Sequence, residues 1–263
     1  MTNPSDAVTN TGRGLERLRR RIALIGNDAY RRDGWRLLLA DMRGWLGVRT
    51  LLAVVVLAIS GAWLAYHSVT TPREAHQLLA RLFGFGALLA GAGLFASDQR
   101  QGTFELLWLA TGSRRKLLAH RIIVQLIAFT LLAVPAILLS RWWVGADFPA
   151  MRSLVFIVTN TLLILCTMAW AATLLPQAWA GALMGMALIV GFHAWMGDTV
   201  SIFNLFLNPM PGGAEELIVI GGGAFASTTS AQALVTPNRI VVLLASGLLF
   251  NMAHKGLART FRG

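Results

Sequence analysis

Six long apolar stretches, at residues 46–66, 78–96, 117–139, 153–175, 178–196 and 238–257, fill most of this chain. A bilayer's hydrocarbon interior is about 30 Å thick and takes roughly 20 helical residues to cross. Within it only helices and closed barrels satisfy their own backbone groups. The stretches are continuous apolar blocks, not alternations of period two, which excludes a barrel. The expectation is an all-α, polytopic membrane protein with six transmembrane helices. A chain that is 56% hydrophobic and 13% charged departs from soluble proteins in the same direction.

The net charge of +11 would suit a nucleic-acid binder, but its distribution does not. Residues 13–49 hold ten Arg, the connection 97–121 holds Arg100, Arg114, Arg115, Lys116 and Arg121, and the C-terminal end holds Lys255, Arg259 and Arg262. With six spans these fall on one side, leaving Arg73, Arg81, Arg141, Arg152 and Arg239 on the other. Cations collect on cytoplasmic connections. Both termini are therefore expected in the cytoplasm, the protein in the inner membrane, and the charge against anionic headgroups, not nucleic acid. The Arg-rich stretch before residue 46 is too long for the charged region of a cleavable signal peptide, so the N-terminus is expected to be retained.

Three regions follow: a cytoplasmic tail with an amphipathic helix at 1–45, a six-helix membrane domain at 46–257, and a short cytoplasmic tail at 258–263. The amphipathic helix is read from Trp35, Leu38, Leu39, Met42 and Trp45, which recur at helical spacing with Arg32, Arg36 and Arg43 opposite. A basic helix with Trp on its apolar face suits the membrane interface. Span two carries the pairs Gly86 with Ala90 and Ala87 with Gly91, which let helices approach closely. A short turn at Pro176-Gln177 makes spans four and five a hairpin. The long connection 197–237 contains apolar pieces at Val200–Leu207 and from Leu217–Ile220 on to Phe225. Too short to cross, they are expected as short outer helices, re-entrant or interfacial.

Catalytic patterns are missing from the sequence. No P-loop, zinc-binding H-E-x-x-H or G-x-S-x-G occurs, and no enzyme activity, metal or resident cofactor is expected. Gln125, Asn160 and His193 are the polar residues inside spans, expected to bond between helices. The lone Cys166 can form no disulfide within the chain and is expected as a packing residue.

The inner connection after span two reads SDQRQGTFELLWLATGSRRK. Gly102 permits a turn, Thr103 is a good N-cap, and Glu105 complements the helix dipole. A short helix over about 102–111 results, with Phe104, Leu107 and Trp108 as its large apolar groups. Gly112 ends it and Ser113 caps the next helix. Such a face could seat in a groove on a soluble partner or lie on the bilayer.

The string Arg100-Gln101-Gly102-Thr103-Phe104-Glu105-Leu106-Leu107, followed by Thr111-Gly112-Ser113-Arg114, resembles the E-x-x-x-G-T-x-E-x-L-L…P-x-S-R segment of ABC-2 type transporter permeases. Asp98 stands near the family's usual Glu, and Thr111-Gly112 replaces its Pro-containing step. The resemblance implies a membrane subunit of an ATP-driven exporter. Gln101, Gly102, Thr103, Phe104, Glu105, Leu106, Leu107 and Trp108 would form a coupling helix docked on a separate ATPase, beside the interface residues Trp35, Arg36, Leu38, Leu39, Met42 and Trp45. It further implies two ATPase chains binding ATP and Mg, and a second permease chain in a homo- or heterodimer. The alternative is an anchor transmitting force to an extracytoplasmic partner without solute transport.

Overall fold

A computed structural model describes residues 61–62, 69–92, 113–175, 178–196, 217–220, 225–228 and 231–260. Within these the chain is mainly α-helical. Five helices are present: α1 (Pro72–Ala92), α2 (Arg114–Val144), α3 (Ala150–Leu174), α4 (Ala178–Met196) and α5 (Ala231–Thr260). Two strands, β1 (Leu217–Ile220) and β2 (Phe225–Thr228), lie between α4 and α5 in sequence. Three helical segments, Arg114–Val144, Ala150–Leu174 and Val235–Leu257, are long and apolar enough to cross a membrane. Of the expected first span only residues 61–62 belong to the described residues.

Helix α1 begins where capping chemistry places it, before its apolar window. Thr71-Pro72-Arg73-Glu74 is a capping box with proline at the first helical position. The Thr71 hydroxyl accepts from the Glu74 N–H at 3.3 Å, and the Glu74 carboxylate accepts from the Thr70 and Thr71 N–H groups at 3.3 Å. Hydrogen bonding to the carboxylate, from the Thr71 side chain first and then from the Thr70 and Thr71 N–H groups, holds the Glu74 carboxyl below its usual pKa. Helix α2 ends at Gly145, whose φ of 108° lies in the region that favours glycine; its N–H bonds to the Arg141 carbonyl at 3.0 Å. Pro149 then opens α3, with Phe148 buried beneath the turn.

Successive helices alternate in direction, as their paired residues show. His76 meets Ser153 and Gly91 meets Met168, so α1 and α3 run parallel. Arg239 meets Asn160 and Gly256 meets Thr173, so α5 is parallel to both. Trp143 bonds to Val69 and Gln125 to Ala90, which makes α2 antiparallel to α1. Gly181 lies against Ala171 and Ala172, and Gly185 against Met168, which makes α4 antiparallel to α3. Among the described residues Arg73, Arg141, Arg152 and Arg239 thus lie toward one end of the bundle, and Arg114, Arg115, Lys116, Arg121 and Lys255 toward the other.

Helix α3 is the hub, with the other four helices packed against it. One cluster joins Leu79, Phe83 and Ala87 of α1 to Phe129, Ala133 and Ile137 of α2 and to Ile157, Ile164 and Met168 of α3. A second joins Leu117, Leu118 and Ile122 to Leu165, Cys166 and Ala169 and to Ala253 and Leu257 of α5. Cys166 is a buried packing residue, as expected. The expected small-residue contact of span two is also present: Ala87 is buried, and a Cβ on Gly91 would fall 2.7 Å from Met168.

The outer surface is apolar. Phe85 and Leu89, Leu131 and Leu138, Leu183 and Val190, and Ile240, Leu244 and Leu248 are all exposed. Water would not tolerate apolar surface on every side of the bundle, whereas lipid does. Hydroxyls inside the helices turn back on their own backbone: Thr130, Ser140, Thr159, Thr167 and Ser246 each donate to the carbonyl four residues earlier, at 2.7–2.9 Å. Trp142 and Trp143 stand exposed at the end of α2, a position that suits a membrane interface. The fold defines a multi-pass α-helical membrane protein.

Two expectations about the connection before α5 need correction. Leu217–Ile220 is a strand, not part of a short outer helix; it pairs antiparallel with Phe225–Thr228, with Leu217 opposite Thr228. The β-branched Ile218, Val219 and Ile220 favour that form. The final helix also begins at Ala231 and runs through Pro237, which the sequence reading had assigned to the connection. Val200–Leu207 lies outside the described residues.

The contact at Gly181 yields a test. A Cβ there would fall 2.7 Å from the Ala172 backbone, whereas one at Gly191 meets nothing within 4 Å. Gly181→Ala is expected to destabilise by about 1–3 kcal/mol, and Gly191→Ala to be neutral or slightly stabilising. Thermal unfolding in detergent distinguishes the two.

Candidate functional site

The residues expected to carry coupling, Gln101 to Trp108, and those expected at the interface, Trp35, Arg36, Leu38, Leu39, Met42 and Trp45, lie outside the described residues. Two side chain-to-backbone bonds join the helices that flank this segment in sequence to each other and to α5. Gln125 of α2 donates from Nε2 to the carbonyl of Ala90 of α1, at 3.4 Å. Arg114, in the first turn of α2, donates from Nη1 to the carbonyl of Leu257 near the end of α5, at 3.1 Å. Ser113 occupies the N-cap position of α2 with extended backbone, as expected, though its side chain makes no capping bond.

The most polar site inside the bundle forms where α1, α3 and α5 begin. Its centre is Arg239, only 6% exposed. Nη1 donates to Thr159 Oγ1 at 2.8 Å and to Asn160 Oδ1 at 2.7 Å. Nε donates to Asn238 Oδ1 at 2.9 Å, and Nη2 bonds to the same oxygen. The guanidinium carbon lies 3.7 Å from the centroid of the Phe156 ring, a cation–π contact. His76 of α1 meets the same ring edge-on, at 6.0 Å between centroids and 85° between planes. His76 Nδ1 and Ser153 Oγ share a hydrogen bond of 2.8 Å. Asn238 and Ser153 are fully enclosed, and His76, Thr159, Asn160 and Phe156 are buried.

Local geometry explains the grouping. Ser153, Phe156 and Asn160 lie at i, i+3 and i+7 on one face of α3, turned toward both neighbours. Thr159 donates its own hydroxyl proton to Val155, so its oxygen is oriented to accept from Arg239. Phe156 lies between cation and imidazole and links the contact to α5 with the contact to α1.

The sequence reading found one member of this group. Asn160 was expected to bond between helices, and it does. Gln125 likewise bonds to α1, while one of its atoms, Oε1, is buried with no partner. His193 lies in α4, with its side chain outside the described residues. The sequence reading takes Arg239 only as a cation of the outer side and gives His76 no role. The available signal was the pair Asn238-Arg239 opening an apolar helix. Among the described residues no three His, Cys, Asp or Glu residues are grouped to hold a metal ion.

Comparison of the chain with protein-family models, with curated proteins and with solved structures finds no match.

The ring's role can be isolated. Phe156→Leu keeps most of the apolar volume and removes the face that the guanidinium covers. The expected loss is about 1–2 kcal/mol, read as a lower unfolding temperature in detergent. An unchanged transition would contradict the assignment.

Proposed function

We propose that this chain is the transmembrane permease subunit of an ATP-binding cassette exporter, moving a substrate across the cytoplasmic membrane with energy from a separate ATPase. The observation that carries the reading is the segment Arg100 to Leu107 with Thr111 to Arg114, through its resemblance to the ABC-2 coupling segment. Its place in the chain supports this: it joins α1 to α2, and α2 opens with the basic run Arg114-Arg115-Lys116. In this reading there are six spans, both termini are cytoplasmic, and two permease chains pair with two ATPase chains that hold ATP and Mg. Nucleotide binding closes the ATPases, and the helix over about 102–111 passes their motion to the spans. ATP can favour one arrangement only through a difference in affinity between arrangements.

A second reading keeps the ATPase but replaces transport with mechanical or assembly work on an extracytoplasmic partner. The strand pair β1–β2 favours it, since an open two-stranded edge can take up a further strand.

Purification of the chain from its native membrane is expected to bring down an ATPase carrying a P-loop. Phe104→Asp or Glu105→Arg is expected to lower its recovery at least tenfold while leaving membrane insertion unchanged. Full recovery with both variants would refute the assigned docking segment. Transport in liposomes, set against capture of an outer partner, separates the two readings.

A further inference from the structure

We propose that Arg239 is the positioning residue that fixes the register of α5 on α3, so that the last helix has one acceptable placement along the bundle. The argument needs no ATPase and stands apart from the functional reading above. At its far end helix α5 packs Ala253 and Leu257 and takes the Arg114 bond on Leu257, while much of its remaining length faces outward. Its Ile240, Leu243, Leu244, Leu248 and Met252 are exposed, and an apolar helix in lipid gains little from one apolar neighbour over another. A desolvated guanidinium is different, because its donors need oxygen acceptors wherever the helix rests.

Helix α3 offers such acceptors toward α5 at one level. In the observed register Arg239 reaches Thr159 and Asn160. Sliding α5 one turn deeper would bring the guanidinium level with Leu163 and Ile164, both buried and apolar. Sliding it one turn the other way would bring it level with Phe156, where Ser153 is already bonded to His76. The observed register also places Gly256 beside Thr173 at the far end, where a larger residue would collide. The charge specifies the placement, and the glycine permits it. Through Phe156 and the His76–Ser153 bond the same level ties in α1, so three parallel helices are aligned at one polar layer.

The test uses the full-length chain with Cys166→Ala, so that introduced cysteines are the only thiols. Ala169→Cys with Ala253→Cys, small residues of the cluster that joins α3 to α5, reports the register of α5 far from Arg239, through disulfide yield on mild oxidation in native membranes. The parent pair is expected to cross-link in most molecules. Arg239→Met is expected to lower the yield at least threefold, and Arg239→Lys, which keeps the charge, to retain more than half of it. A second measurement uses thermal unfolding in detergent, without the cysteine pair. Asn160→Leu alone, which strips an acceptor from a buried charge, is expected to lower the transition by roughly 10 °C. Arg239→Met with Asn160→Leu is expected to regain at least half of that loss, because charge and acceptor leave together. A purely packing role for Asn160 gives no such rescue. Undiminished cross-linking in Arg239→Met overturns the proposal, and so does an Asn160→Leu penalty that is the same with Arg or Met at position 239.

Discussion

Hydrocarbon offers no hydrogen-bond partner, and that constraint organises this molecule. A buried polar group is stabilised by finding its complement within the chain, and the described residues show three ways of doing so. Serine and threonine hydroxyls return to their own helix, as Thr167 does to Leu163. Gln125 and Arg114 reach to backbone carbonyls of neighbouring helices. Arg239, the costliest group to bury, gathers oxygens from two helices and covers an aromatic face. Apolar contacts and close-packed glycines fill the space between, but they would serve many arrangements nearly as well.

Two of these polar contacts bear on the proposed function through their position. Gln125 and Arg114 tie α2 to α1 and to α5 toward the cation-rich end of the bundle. A force arriving through the connection between α1 and α2 would meet helices already joined there by specific bonds. At the opposite end, α1, α3 and α5 share the layer around Phe156. Helix α3 has the other four helices packed on it.

Much of the helical framework was legible in the sequence, because long apolar windows with polar ends leave few alternatives. The stretches 117–139, 153–175 and 178–196 lie within α2, at α3 and at α4. The close approach of Ala87 and Gly91 was also legible from spacing. The capping box at Thr71 to Glu74 was visible and passed over, which is why α1 begins before its apolar window. Leu217–Ile220 was read as helix because a run of four apolar residues has no period to read. Arg239 could not be placed from its own neighbourhood. Whether an arginine near the start of a span faces headgroups or the interior depends on partners 79 and 80 residues away in α3. The segment expected to bind the ATPase rests on its sequence and the resemblance that sequence carries.

The central claim is that the helices alternate across a membrane with the Arg114-Arg115-Lys116 end in the cytoplasm. Lys116 and Asp147 are exposed at opposite ends of α2, so one labelling experiment addresses it. In a Cys166→Ala background, Lys116→Cys and Asp147→Cys are treated with a membrane-impermeant maleimide on intact cells and on inverted vesicles. Position 147 is expected to react in cells and position 116 only in inverted vesicles. Reaction of both from the same side, or the reverse pattern, would contradict the account.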